Sequence, residues 1–145
     1  TGGMGNDQLS GGPERDFLEG GDGDDFIDGG PGHDDAWGEG GDDEVWGREG
    51  NDCLIGASGS DNRYGEDGDD FLRGDGGDDG LQGGDYQTGR DLICGGSGHS
   101  TIWGGWDGDL CLAESGSDIH GCEVTPATEA QCERTCDEWR TSSGR

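Results

Sequence analysis

Basic side chains are scarce: 8 Lys+Arg stand against 35 Asp+Glu, for a formal net charge of −27. So acidic a chain repels phosphate polymers, which excludes nucleic acid and anionic membrane surfaces as partners. Apolar residues make up only 26% of the 145, and no run of them approaches the roughly 18 needed to cross a bilayer. No membrane span is expected and no signal peptide is visible; the start at Thr1 fits a processed or excised segment. Catalytic signatures are missing as well. His33, His99 and His120 are not phased to a nucleophilic Ser or Cys, neither H-E-x-x-H nor G-x-S-x-G occurs, and no C-x-x-C pair suits zinc. The chain is therefore expected not to be an enzyme.

Glycine and aspartate, in contrast, are abundant and strictly phased. There are 36 glycines, and from Gly2 the chain repeats every nine residues: GGMGNDQLS (2–10), GGPERDFLE (11–19), GGDGDDFID (20–28), GGPGHDDAW (29–37), GEGGDDEVW (38–46), GREGNDCLI (47–55), GASGSDNRY (56–64), GEDGDDFLR (65–73) and GDGGDDGLQ (74–82). GGDYQTGRDLIC (83–94) is three residues longer, GGSGHSTIW (95–103) and GGWDGDLCL (104–112) return to nine, and AESGSDIHG (113–121) is degraded. Low hydrophobicity with high charge ordinarily means disorder, but a fixed period argues for a repeat architecture.

Within one unit the early glycines permit tight turns and close backbone approach. The sixth position offers a carboxylate, and the last three residues alternate outward, inward, outward as a short strand does. Two units close one turn, so alternate units stack into two parallel sheets. The inward residues are Leu9, Leu18, Ile27, Ala36, Val45, Leu54, Arg63, Leu72, Leu81, Ile93, Ile102, Cys111 and His120. This reading makes the chain all-β: a parallel β-roll over 1–121, followed by a cysteine-containing, partly helical tail over 122–145.

Thirteen tandem copies of G-G-x-G-x-D-x-U-x resemble the repeats-in-toxin (RTX) family over residues 2–121. The resemblance implies a calcium-binding solenoid and export by a dedicated Gram-negative secretion system. The six cysteines depart from that family's cysteine-poor pattern.

So small a core cannot by itself offset the entropy of ordering so much glycine, and Ca2+ supplies the missing cohesion. It takes 6–8 oxygens from carboxylates and carbonyls, which suits these loops better than Zn2+ or Mg2+ would. The candidate ligands are Asp7, Asp25, Asp43, Asp61, Asp79 and Asp118 on one edge, with Asp16, Asp34, Asp52, Asp70, Asp91 and Asp109 on the other. Adjacent Asp–Asp pairs, two repeats apart, number nine, and nine divalent ions would cancel 18 of the 27 negative charges. Ser100 interrupts the first edge. The inserted Tyr86-Gln87-Thr88, together with Glu14 and Asp107 at glycine positions, is expected to weaken its loops.

Outward positions on the even-numbered units are unusually apolar (Phe17, Trp37, Cys53, Ile55, Phe71, Leu92, Cys94, Leu110, Leu112), so a cover is expected there. The tail supplies one. A helix from Thr125-Pro126 would put Cys132, Cys136 and Trp139 on one face. Cys132 and Cys136 would then bond Cys94 and Cys53, with Cys111–Cys122 closing the end of the stack; the rival arrangement pairs some thiols between chains. An even cysteine count fits a secreted, extracellular or cell-surface setting. The expected role is a structural module that folds on Ca2+ and serves in assembly, adhesion or a surface fibre, with itself as partner. The alternatives are a secretion and folding appendage of a larger secreted enzyme or toxin, and a roll that binds glycan through Trp46, Tyr64 and Trp103.

Overall fold

A computed structural model describes residues 1–84, 89–106, 108–114, 116–123, 132–133 and 135–143. Each repeat contributes one loop and one strand. Among the described residues the strands are, in chain order, β1 (Gly3–Met4), β2 (Gln8–Ser10), β3 (Phe17–Asp22), β4 (Phe26–Asp28), β5 (Asp35–Gly40), β6 (Glu44–Glu49), β7 (Cys53–Ser58) and β8 (Asn62–Asp67). They continue with β9 (Phe71–Gly76), β10 (Gly80–Gln82), β11 (Leu92–Cys94), β12 (Thr101–Trp103), β13 (Asp109–Leu112), β14 (Asp118–His120) and β15 (Cys122–Glu123), and one helix follows, α1 (Cys136–Ser143). Odd-numbered strands form an eight-stranded sheet and even-numbered strands a seven-stranded one, each strand bonded to the strands two before and two after it. All these pairings are parallel, which makes the expected β-roll, a solenoid of about six turns.

Register stacks like on like. Leu18, Ala36, Leu54, Leu72, Ile93 and Cys111 form one inward column, and Leu9, Ile27, Val45, Arg63, Leu81 and Ile102 face them from the other sheet. Except for Leu9 and Leu18 at the first coils, these side chains are almost wholly shielded from water. From β5 to β9 the strands run six residues instead of the expected three, because the early loop residues also pair from coil to coil: Glu39 faces Ala57, and Ala57 faces Asp75. Those three residues, with Arg48 and Glu66, hold positive φ where other units use glycine.

Two expectations fail in the last unit, and one cause explains both. Ile119, not His120, faces Ile102, while His120 lies opposite Trp103 on the outer surface and stacks on it at 4.4 Å. The loop is one residue short. Ser100 N donates to Ser117 Oγ, 17 positions on, so Ser117 takes the sixth position and Asp118 moves onto the strand.

The outer face of the eight-stranded sheet is covered around β7, β9 and β11, while Phe17 on β3 stays 64% exposed. Cys53, Ile55, Phe71 and Cys94 form a second buried cluster with Cys136 and Trp139 of the tail, and Trp139 stacks on Phe71 at 5.9 Å. All three expected disulfides are present: Cys53–Cys136, Cys94–Cys132 and Cys111–Cys122. The helix differs from its expected form. Cys132 lies in a turn, and α1 begins only at Cys136, after a capping box in which Glu138 N donates to Thr135 Oγ1 and Thr135 N to Glu138 Oε2. The expected start at Thr125-Pro126 lies outside the described residues.

Candidate metal sites

The sixth-position aspartates line both edges of the roll just inside the loops. From the second coil of each edge onward, one carboxylate oxygen is used structurally: Asp7 N donates to Asp25 Oδ1 at 2.7 Å, Asp16 N to Asp34 Oδ1 at 2.8 Å, and so on from coil to coil. The pairs joined in this way are 7–25, 25–43, 43–61, 61–79, 16–34, 34–52, 52–70, 70–91 and 91–109. These are the nine pairs counted in the sequence. Asp118 joins none of them; it sits exposed on β14 opposite Thr101.

The second carboxylate oxygen behaves differently. On Asp7, Asp25, Asp34, Asp43, Asp52, Asp70 and Asp79 it is buried with no hydrogen-bond partner. A buried acceptor left in this state is costly unless a cation meets it. The first glycine of each loop makes room at the same point. A Cβ on Gly11 would lie 2.5 Å from Gly29 O and 2.7 Å from Asp16 Oδ2, and one on Gly29 would lie 2.6 Å from Asp34 Oδ2 and 3.0 Å from Gly47 O. A carboxylate of one loop and a carbonyl of the next coil thus converge on a cradle that only glycine leaves open. All-oxygen donors of this kind match a hard divalent cation, and Ca2+ accepts the number and spread of oxygens that stacked loops present.

Crowding of carboxylates shows in their proton affinity. Burial raises Asp52 to about 7 and Asp43 to about 6, with neighbouring carboxylates adding to the effect and the backbone hydrogen bond opposing it. Asp34, Asp61 and Asp79 are raised for the same first cause, and Asp70 well above the usual range. A bound cation would reverse this by favouring the ionised form.

Fifth-position side chains form a second ladder that the period alone did not reveal. Asp24 N donates to Asn6 Oδ1, Asp42 N to Asp24 Oδ1 and Ser60 N to Asp42 Oδ1, opposite in direction to the sixth-position ladder. On the other edge His33 Nδ1 accepts from Asn51 N at 2.7 Å. The signal was a column of short acceptors beside the aspartates. The tail also reaches this edge: Arg140 Nη2 donates to Asp34 O at 2.9 Å and Asn51 O at 3.3 Å, while Asp35 pairs with both Arg140 and Arg15. Asp35, Cys53 and Cys136 lie within 4.8 Å of one another, but the two sulfurs are joined in a disulfide and leave no thiolate for a metal.

At the C-terminal end the carboxylates run out on one edge. Ser100 replaces Asp, its hydroxyl donating to Gly95 O at 3.4 Å, and no carboxylate of that loop faces Asp79. Of the loops expected to be weakened, the second keeps its ladder bond between Asp16 and Asp34; Asp107 and Tyr86-Gln87-Thr88 lie outside the described residues.

Comparison with known proteins agrees with this geometry. The model of the RTX calcium-binding nonapeptide repeat matches four copies, at residues 1–36, 28–62, 64–85 and 87–119. No curated protein and no solved structure matches the chain.

Proposed function

Because the chain belongs to the RTX calcium-binding nonapeptide-repeat family, we propose that it works outside the cell as a calcium-folded structural module that adheres to carbohydrate through its uncovered sheet. Calcium binding follows from the family; adhesion is the further step. The observation that carries it is the asymmetry of the two faces. The tail covers the eight-stranded sheet around β7, β9 and β11 and leaves Phe17 on β3 64% exposed, while nothing among the described residues covers the seven-stranded sheet, where Trp103 is 54% exposed and Trp46 and Tyr64 are half-buried.

On that open face Trp46 stacks on Tyr64 at 4.1 Å and Trp103 on His120 at 4.4 Å, with Gln82 between the two stacks. Gly80 has no side chain to fill the neighbouring row, and a cavity of about 440 Å3 opens there, lined by Tyr64, Trp103, Asn62, Thr101 and Gln82 among others. Tyr64 and Trp103 stand two strands apart, about 9.6 Å by strand spacing. A pyranose ring fits such a gap, with its C–H faces toward the aromatic rings and its hydroxyls toward the amides and Thr101. In this reading the module catalyses nothing.

A glycan array probed with the Ca2+-loaded protein tests the proposal. Binding that is lost in Trp103→Ala and Tyr64→Ala supports it; a folded, loaded protein that binds no glycan overturns it.

A further inference from the structure

Arg63 occupies an inward position that is aliphatic in most other units, yet it is fully shielded from water and makes charged contacts. Its Nη2 donates to Asp61 Oδ2 at 2.8 Å and to Asp79 Oδ1 at 3.1 Å, and its Nη1 donates to the backbone carbonyl of Arg73. Asp61 and Asp79 are one of the nine ladder pairs. The chain thus brings two carboxylates and a carbonyl from adjacent coils, all oxygens of the kind a hard cation takes, onto one guanidinium.

The cradle geometry places the guanidinium more closely. At Gly11, Gly20, Gly29, Gly47 and Gly65 the point where a Cβ would stand is approached by a sixth-position carboxylate oxygen and by the carbonyl of the next coil's first glycine. At Gly56 the nearest atoms to that point are instead Arg63 Nη2 and Asp61 Oδ2. A cation is therefore already present in the cradle of the seventh loop, supplied by the chain itself.

We propose that Arg63 is a tethered substitute for one calcium ion, closing the interval between the Asp61 and Asp79 loops without metal and excluding Ca2+ from it. A guanidinium is permanently charged and presents a planar fork of donors, so it satisfies two carboxylates and a carbonyl together. Unlike an ion, it cannot be removed by a chelator. Its place in the stack adds to the effect. Arg63 lies on β8, between the coils that Cys53 and Cys94 tie to the tail. The middle coils are thus fastened covalently on one face and ionically inside one edge before any calcium arrives. They form a kernel on which the outer coils order as Ca2+ binds.

Two measurements test this. In crystals of the wild-type protein grown with Ca2+, an anomalous difference map should show no ion between Asp61 and Asp79 while showing ions at other ladder pairs; a peak in that interval overturns the proposal whether or not any variant folds. In solution, Arg63→Leu should bind one more Ca2+ per chain than wild type by equilibrium dialysis. In chelator it should also lose at least tenfold in hydrogen-exchange protection of the amides of Asp61, Asn62, Gly80 and Leu81. Unchanged stoichiometry with unchanged protection in Arg63→Leu would show the residue to be a passive filler.

Discussion

Cys136, the first residue of α1, is bonded to Cys53 on β7, 83 positions earlier, with their Cα atoms 5.7 Å apart. The link brings Trp139, 3% exposed, onto Phe71, so the tail contributes a hydrophobic cluster to a roll whose own interior is narrow. Cys136→Ser, which opens this one bridge, should lower stability by about 2–5 kcal/mol, the usual range for a native disulfide. Trp139→Ala should cost about 3–5 kcal/mol. Thermal unfolding in saturating Ca2+ checks both, and a shift under a degree in either variant would mean that the tail is a passenger.

Aspartates that look alike in the sequence should separate in a calcium titration. Asp52 is fully buried with an unpartnered oxygen, whereas Asp118 faces solvent on β14. Asp52→Asn should weaken calcium affinity at its edge by about tenfold or more, equivalent to about 1.4 kcal/mol. Asp118→Asn should leave the isotherm unchanged. Calorimetric titration of both variants against wild type distinguishes these outcomes.

Acid should act in opposite directions with and without metal. Asp43 at about 6 and Asp52 at about 7 lie above the ordinary 3.8, so between about pH 4 and pH 7 the metal-free folded chain binds more protons than the unfolded chain. Stability of the metal-free form therefore rises as the pH falls through that window and is lost as the pH climbs past the folded values. Calcium binding has the reverse dependence, because protons and ions compete for the same oxygens. Melting in chelator should be higher at pH 5 than at pH 8, and melting in limiting Ca2+ should be lower.

Backbone conformation makes a prediction of opposite sign at two neighbouring loops. Ala57 holds φ 81°, a region that side chains occupy at a cost, so Ala57→Gly should stabilise by about 1 kcal/mol. A Cβ on Gly47 would instead meet Asp52 Oδ2 and, at 2.9 Å, Gly65 O. Gly47→Ala should abolish ion binding in its loop and destabilise the roll by more than about 2 kcal/mol. Chemical denaturation in Ca2+ measures both.

Much of this molecule is legible in its sequence because each link in the chain of reasoning is periodic. Nine-residue phasing assigns Ile27, Leu54 and Ile93 to the interior, pairs Asp25 with Asp43, and leaves Phe71 and Cys94 on an apolar face in need of cover. Legibility ends where the period does. The one-residue deletion before Asp118 cannot be placed by counting nines, so Ile119 and His120 exchanged faces. The Thr135-x-x-Glu138 signature marks the start of α1, and the expectation of a helix from Thr125-Pro126, built on the spacing of Cys132, Cys136 and Trp139, did not use it. Arg63 was visible as an exception in an aliphatic column, although its contact with Asp79, 16 positions away, exists only once the coils have stacked.

The long tenth unit carries a practical consequence. Asp70 N reaches Asp91 Oδ1 across 21 positions where other coils span 18, yet Ile93 still sits beside Leu72 and Leu110 beside Leu92. Both sheets keep step across the three additional residues. The connection between Gln82 and Leu92 is therefore a natural grafting port, where a foreign peptide can be inserted without retuning the internal rhythm of the coils.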